Sequence, residues 1–268
     1  MGRSALDSLF GLVRAEGRTA FLPFMTAGLP DPLQTVECFE AMAEAGADAF
    51  EVGFPYSDPL MDGPTIQLAS ARVLSQGMTL EGSFKTLGEV VSATGRPALA
   101  MSYANPVFRL GADRFAGRAA EAGASGLIIA DLPLEESRPV AEACDRAGIG
   151  LVLFAAPTTD DQRLARIASH DPVFIYGVAE LGVTGERASQ SDHPRTLATR
   201  IRAVTSVPLV MGVGISTPDQ AATLAADVDG VIVGSALVRR ALESPDPIAE
   251  IAGAVRELVA VLSGREVT

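Results

Sequence analysis

The chain has 268 residues, enough to bury a large core, and its 48% apolar side chains against 5% aromatic, with no Trp, make that core aliphatic and alanine-rich. A formal net charge of −12 argues against nucleic acid, because neutralising phosphate needs clustered Lys and Arg. No uninterrupted apolar run approaches the ~20 residues that a membrane-spanning helix needs.

The first segment, MGRSALDSLFGLVRAEG, places Leu6, Leu9, Phe10 and Val13 on one helical stripe, unlike a signal-peptide core. Leu6 also occupies the position where a myristoylation signal needs Ser or Thr. Short apolar runs bounded by turn residues then recur at 19–26, 47–52, 97–103, 125–130, 150–154, 173–176, 208–211 and 230–233. Helical spacing fills the intervals at 32–45, 65–76, 79–93, 112–122, 135–147, 160–168, 194–204, 217–226 and 235–241, and a last helix spans 247–262. Glycines in AEAGAD (43–48) and EAGAS (121–125) stop helices ahead of the next strand. Near-continuously apolar strands that alternate with helices belong to a parallel sheet covered on both faces. Eight such units favour a closed (β/α)8 barrel over an open sheet, here with an extra N-terminal helix. No linker or composition break divides residues 1–268, so a single domain is expected. Cys38 and Cys144 lie in separate helical stretches without a CxxC pair, which suits two buried thiols in a reducing, cytoplasmic setting.

In such a barrel the residues after each strand converge on one rim, where active sites of this fold are built. Thr26, Glu51, Tyr103, Asn105, Asp131, Tyr176, Gly212, Gly214, Gly234 and Ser235 stand there. Asp131, just before a proline, is best read as a cap or turn residue. The run 51–67, EVGFPYSDPLMDGPTIQ, joins a strand end to a helix through a loop stiffened by proline and eased by Gly53 and Gly63. Glu51 beside Phe50 and Val52 should be desolvated with a raised pKa, while Asp62 on a wet loop should stay ionised. Carboxylates in unequal environments let one site run acid and base steps. The competing reading is an ordinary helix start, with Asp62 near the cap and Pro64 in the first turn.

MGVGIS (211–216) and VGSALV (233–238) are glycine turns that open helices after the seventh and eighth strands. Bare amides at helix starts bind anions, so the pair points to a phosphorylated small molecule. GVTGERASQSDHP (182–194) is small, polar and long, as a lid over a ligand would be, or else a tolerant surface insertion. The one lysine, Lys85, falls within the helical stretch 79–93, and the two histidines are His170 and His193. That inventory suits neither a rim Schiff base nor an imidazole-rich metal site.

The string GxPxSDPxxDGPxIQ within 51–67 resembles the signature of the tryptophan synthase alpha chain family. The likeness extends through LPFMTAGLPD (22–31), SYANPVF (102–108), IIADLPLEES (128–137), APTT (156–159), YGVAELGVTG (176–185), GVGIS (212–216) and VGSALV (233–238). The resemblance implies a lyase that cleaves indole-3-glycerol phosphate to indole and glyceraldehyde 3-phosphate by a retro-aldol step, with no cofactor of its own. By position it implies that Glu51 shuttles protons, Asp62 binds the ring nitrogen and Tyr176 positions substrate. It assigns phosphate to Gly185, Gly214, Gly234 and Ser235, and indole to Phe24, Ile66, Met101, Ile128 and Val213, residues that could equally be barrel-core layers. It further implies an α2β2 heterotetramer with a pyridoxal-phosphate-dependent beta chain, docked on residues 58–62 and 103–108. One departure is Ala179, where the family has serine, which bears on lid closure. A free-standing indole-releasing lyase would keep the same site, a non-catalytic scaffold would not need it, and another phosphosugar barrel enzyme fits the residues read without the resemblance.

Overall fold

A computed structural model describes residues 2–178, 193–212 and 217–264. Among them nine strands form one all-parallel sheet: β1 (Ala20–Thr26), β2 (Phe50–Gly53), β3 (Ala98–Ser102), β4 (Gly126–Ile129), β5 (Gly150–Leu151), β6 (Leu153–Ala155), β7 (Ile175–Val178), β8 (Leu209–Gly212) and β9 (Gly230–Val233). Their order is β5-β4-β3-β2-β1-β9-β8-β7-β6. The two ends of that order are consecutive pieces of one stretch. The lower piece, β5, pairs with β4 through Gly126–Gly150, and the upper piece, β6, pairs with β7 through Phe154–Tyr176. The expected fifth strand is thus broken at Val152, and its halves together close an eight-position (β/α)8 barrel.

Strands β1 to β4, β8 and β9 are buried along their whole length, which is why they read as unbroken apolar runs rather than as alternating ones. The helices around them start on side-chain caps. Asp31 accepts the amides of Leu33 and Gln34 ahead of Pro32–Glu44, Thr79 accepts that of Gly82, and Thr217 with Gln220 forms a reciprocal capping box. Gly46 and Gly123, at φ of 104° and 86°, take the positive-φ turns that follow two helices. The expected helix 135–147 is instead a 3-10 turn, Leu134–Glu136, followed by a helix Arg138–Ala147, since Pro139 belongs in a first helical turn. A further short helix, Ala104–Leu110, was not expected. Its N-terminus has no cap of its own and is served by Asp131, whose Oδ1 accepts the Ala104 amide at 2.7 Å.

The N-terminal helix Arg3–Glu16 buries Leu6, Phe10 and Val13 against the N-terminal ends of the strands, with Phe10 edge-on to Phe174 at 5.9 Å just before β7. Two buried aspartates tie that end together. Asp48, ahead of β2, accepts the Phe21 amide of β1 and pairs with Arg18; Asp229, ahead of β9, accepts the Leu209 amide of β8 and pairs with Arg14 and Arg202. Cys38 and Cys144 are buried, and burial pushes both thiols up to about 12. Lys85 projects from the outer helix Leu80–Thr94 beside Glu89. Among the described residues no helix is long and apolar enough to cross a membrane.

Candidate active site

The opposite, C-terminal mouth of the barrel gathers the polar groups singled out above. Side chains alternate along a strand, so the register Phe24–Glu51 sends both inward on β1 and β2. Phe50 points outward to meet Phe39 edge-on at 5.0 Å. Gly53, Met101 and Ile128 share one register level across β2, β3 and β4 and continue the inward face. Tyr176, in register with Phe154 and Val210, joins it from β7. Phe24, Ile66, Met101 and Ile128 are all buried, Ile66 on the helix Pro64–Ser75 and the others on the strands. Val213 lies outside the described residues.

Three glycines make room in this mouth. A Cβ on Gly53 would overlap the end of the Phe24 ring, and one on Gly212 would overlap the Tyr176 hydroxyl. A Cβ on Gly234 would press on Phe24 Cδ1 at 3.2 Å. Aromatic rings therefore occupy the space that side chains at three strand ends would otherwise fill. Phe154 adds a fourth element that the sequence reading missed, its ring stacked on Tyr176 at 4.9 Å and 29°. The available signal was its place at the end of the apolar run 150–154, a strand end like those of the other rim residues.

Glu51 is 3% exposed, and its Oε2 has no hydrogen-bond partner among the described residues. Burial, with the charge of Asp62 adding to it, pushes its carboxyl up to about 8. Asp62 departs from expectation: it is 9% exposed, and burial raises its carboxyl to about 6. The loop folds so that Leu60 and Met61 take the exposure instead. A turn from the Asp62 amide to the Pro59 carbonyl (3.0 Å) directs the carboxylate inward, and Gln67 Nε2 holds the Asp62 carbonyl at 2.8 Å. The Tyr103 hydroxyl faces the Asp62 carboxylate and the Met61 amide and partly offsets the rise at Asp62. It makes no hydrogen bond of good geometry among the described residues, so the contact is electrostatic. The Tyr103 ring is stacked on Tyr56 at 5.1 Å, and Asn105 Nδ2 donates to the Tyr56 hydroxyl at 2.9 Å. Burial and the two carboxylates raise the Tyr176 phenol well above its ordinary value, so it remains a neutral donor.

On the other side of Phe24, Gly234 is the N-cap of the helix Ser235–Glu243 and makes no side-chain cap. Gly234 therefore has no side chain to compete for the first-turn amides, as suits an anion site. Gly185, Gly214, Ala179 and most of the expected lid 182–194 lie outside the described residues. Among the described residues no group of three or more His, Cys, Asp or Glu could hold a metal ion.

The sequence pattern of one family, described as tryptophan synthase alpha chain, matches residues 10–262. The chain belongs to the tryptophan synthase alpha chain family. It is 42% identical over 258 residues to the tryptophan synthase alpha chain of Streptomyces coelicolor, covering 96% of this chain and 95% of that one. Against the Prochlorococcus marinus alpha chain identity is also 42%, covering 93% and 92%. In three dimensions it resembles a chain of Mycobacterium tuberculosis tryptophan synthase, with a TM-score of 0.89 and 35% identity over 96% of this chain and 98% of that one. The alpha subunit of Legionella pneumophila tryptophan synthase gives a TM-score of 0.89 and 30% identity, covering 98% and 99%. Membership sets the chain among the alpha chains of an enzyme of tryptophan synthesis, and the matched stretch contains both carboxylates, Tyr176 and the Gly234–Ser235 turn.

Proposed function

We propose that the chain, working as one barrel domain, is a carbon–carbon lyase that cleaves indole-3-glycerol phosphate to indole and glyceraldehyde 3-phosphate. The observation that carries this reading is the pair of buried, electrostatically coupled carboxylates, Glu51 and Asp62, at the C-terminal mouth. A glutamic acid still largely protonated near neutrality can deliver a proton to indole C3 and then take the proton of the neighbouring chain hydroxyl as the C–C bond breaks. Asp62, ionised at lower pH, accepts the ring N–H and stabilises the positive charge that C3 protonation creates. Tyr176, fixed between Phe154 and the bare Gly212, positions the chain beside Glu51. Indole stacks in the wall of Phe24, Ile66, Met101, Ile128 and Val213. Phosphate sits on the Gly234–Ser235 helix start, with Gly185 and Gly214 completing the cradle.

The chain uses no cofactor of its own in this scheme and docks a pyridoxal-phosphate-dependent beta chain in an α2β2 assembly. Support for docking comes from Leu60, Met61 and Phe108, exposed at 75%, 52% and 47% on the two expected segments. Water-exposed apolar groups of this size favour a protein contact. A cytoplasmic setting accords with the two unpaired buried thiols. The test is indole release from indole-3-glycerol phosphate, with and without an added beta chain. Glu51→Gln should lower kcat by roughly 10²–10⁴-fold with an unchanged circular dichroism spectrum, and an unaltered rate would remove Glu51 from the chemistry.

A further inference from the structure

Thr26 ends β1 with a side chain 1% exposed, and its hydroxyl has no hydrogen-bond partner among the described residues. Buried hydroxyls are almost always paired, and leaving one unpaired is costly. Strand alternation places Thr26 on the inward face with Phe24, and in register it stands opposite Gly53, one step above the Phe24–Glu51 pair. The Phe24 ring reaches over Gly53, so Thr26 and Glu51 border the same ring, one above it on β1 and one beside it on β2. Glu51 Oε2 is the second unpaired polar atom at this spot. Ser125, another buried hydroxyl without a partner among the described residues, precedes β4 and so lies at the far end of the barrel. Two oxygens without a partner among the described residues, on neighbouring strands within one register step at the reacting end, call for a ligand that brings hydroxyls of its own.

The substrate proposed above has two hydroxyls on the carbon chain that links ring and phosphate. The one next to the ring gives its proton to Glu51, and the other has no partner in the scheme. We infer that Thr26 is a substrate-binding residue whose hydroxyl holds this second chain hydroxyl and so fixes the torsion that presents the first to Glu51. The inference rests on the reaction proposed above, and it explains how the site distinguishes a glycerol chain from a plain alkyl chain of equal length. A site built to pair a hydroxyl discriminates strongly against analogues that lack it.

The experiment compares wild type with Thr26→Val, which keeps the shape and removes the hydroxyl, and Thr26→Ser, which keeps the hydroxyl. Expected for Thr26→Val is about a tenfold or greater loss of kcat/KM for indole release, with an unchanged or raised denaturation midpoint, because an unpaired polar group has been removed. Thr26→Ser should recover most of the rate. Indole-3-propanol phosphate, which has the ring, chain length and phosphate but neither chain hydroxyl, should inhibit wild type and Thr26→Val with equal Ki. Wild-type kcat/KM in Thr26→Val overturns the inference while the reaction stands, as does a parallel loss of affinity for the propanol analogue, which would make Thr26 a shaping residue. A wild-type protein that releases no indole overturns both.

Discussion

The Tyr176 hydroxyl occupies the space that a Cβ on Gly212 would need. The ring is also stacked on Phe154, so a Cβ at position 212 would push it out of its present place. Gly212→Ala should therefore displace Tyr176 and lower kcat/KM for indole release by about 100-fold, the cost of an ångström-scale misplacement. The far-ultraviolet circular dichroism should match wild type. A variant with normal kcat/KM would show that Tyr176 does not act from this position.

The two carboxylates predict a bell-shaped pH profile. With Asp62 required as the anion and Glu51 as the acid, kcat/KM should rise through about pH 6 and fall through about pH 8. These limbs belong to the coupled pair. Asp62→Asn should flatten the acid limb as well as slow the reaction, and a profile whose acid limb survives that substitution would assign it elsewhere.

Glu51 also has a signature in stability. Its folded-state pKa is raised, so the native state holds a proton that the unfolded chain releases above the ordinary glutamate pKa, and stability declines as pH rises from about 4.5 to about 8. Glu51→Gln removes that titration. The variant should be more stable than wild type at pH 8 by on the order of 3 kcal/mol, with the difference shrinking toward pH 4. Urea denaturation at both pH values measures it, and a pH-independent difference would contradict the desolvated state of Glu51.

Asp229 has the opposite sign. Burial would raise its carboxyl, but Arg14, the Leu209 amide and Arg202 outweigh burial and hold it below the ordinary value. Its contribution is present above the unfolded pKa and is lost as pH falls through the lower folded one. Asp229→Asn should cost about 2–3 kcal/mol at pH 7, where both arginines remain partly exposed and screened. The cost should shrink below about pH 4. An equal penalty at pH 7 and pH 3 would mean that shape, not charge, matters there.

Phe108→Glu tests the docking surface. The side chain is half-exposed on the helix Ala104–Leu110 and has no part in the proposed chemistry. Affinity for a beta chain, measured by calorimetry, should fall at least about tenfold, while indole release by the isolated chain stays within about twofold. Unchanged affinity would move the docking surface away from this helix.

Much of the barrel was legible because buried parallel strands leave a plain mark, an apolar run closed by a turn, and caps such as Asp31, Thr79 and Thr217 mark helix starts locally. What escaped depended on groups distant in sequence. The helix Ala104–Leu110 takes its cap from Asp131, 27 residues on, so no local signal announced it. The break at Val152 arises because the two halves of one strand pair with different neighbours. Asp62 belongs to a polar loop by composition, yet a turn at Pro59 folds it into the barrel mouth, where it is buried. Glu51 was read correctly as desolvated because its flanking residues, Phe50 and Val52, belong to the same buried strand.

Lys85 carries the chain's lone side-chain amine, and it stands 77% exposed on the outer wall. The backbone amino group is capped beforehand. An amine-reactive dye or resin would then attach at one known point, giving oriented single-molecule or surface measurements of the native protein without an engineered cysteine.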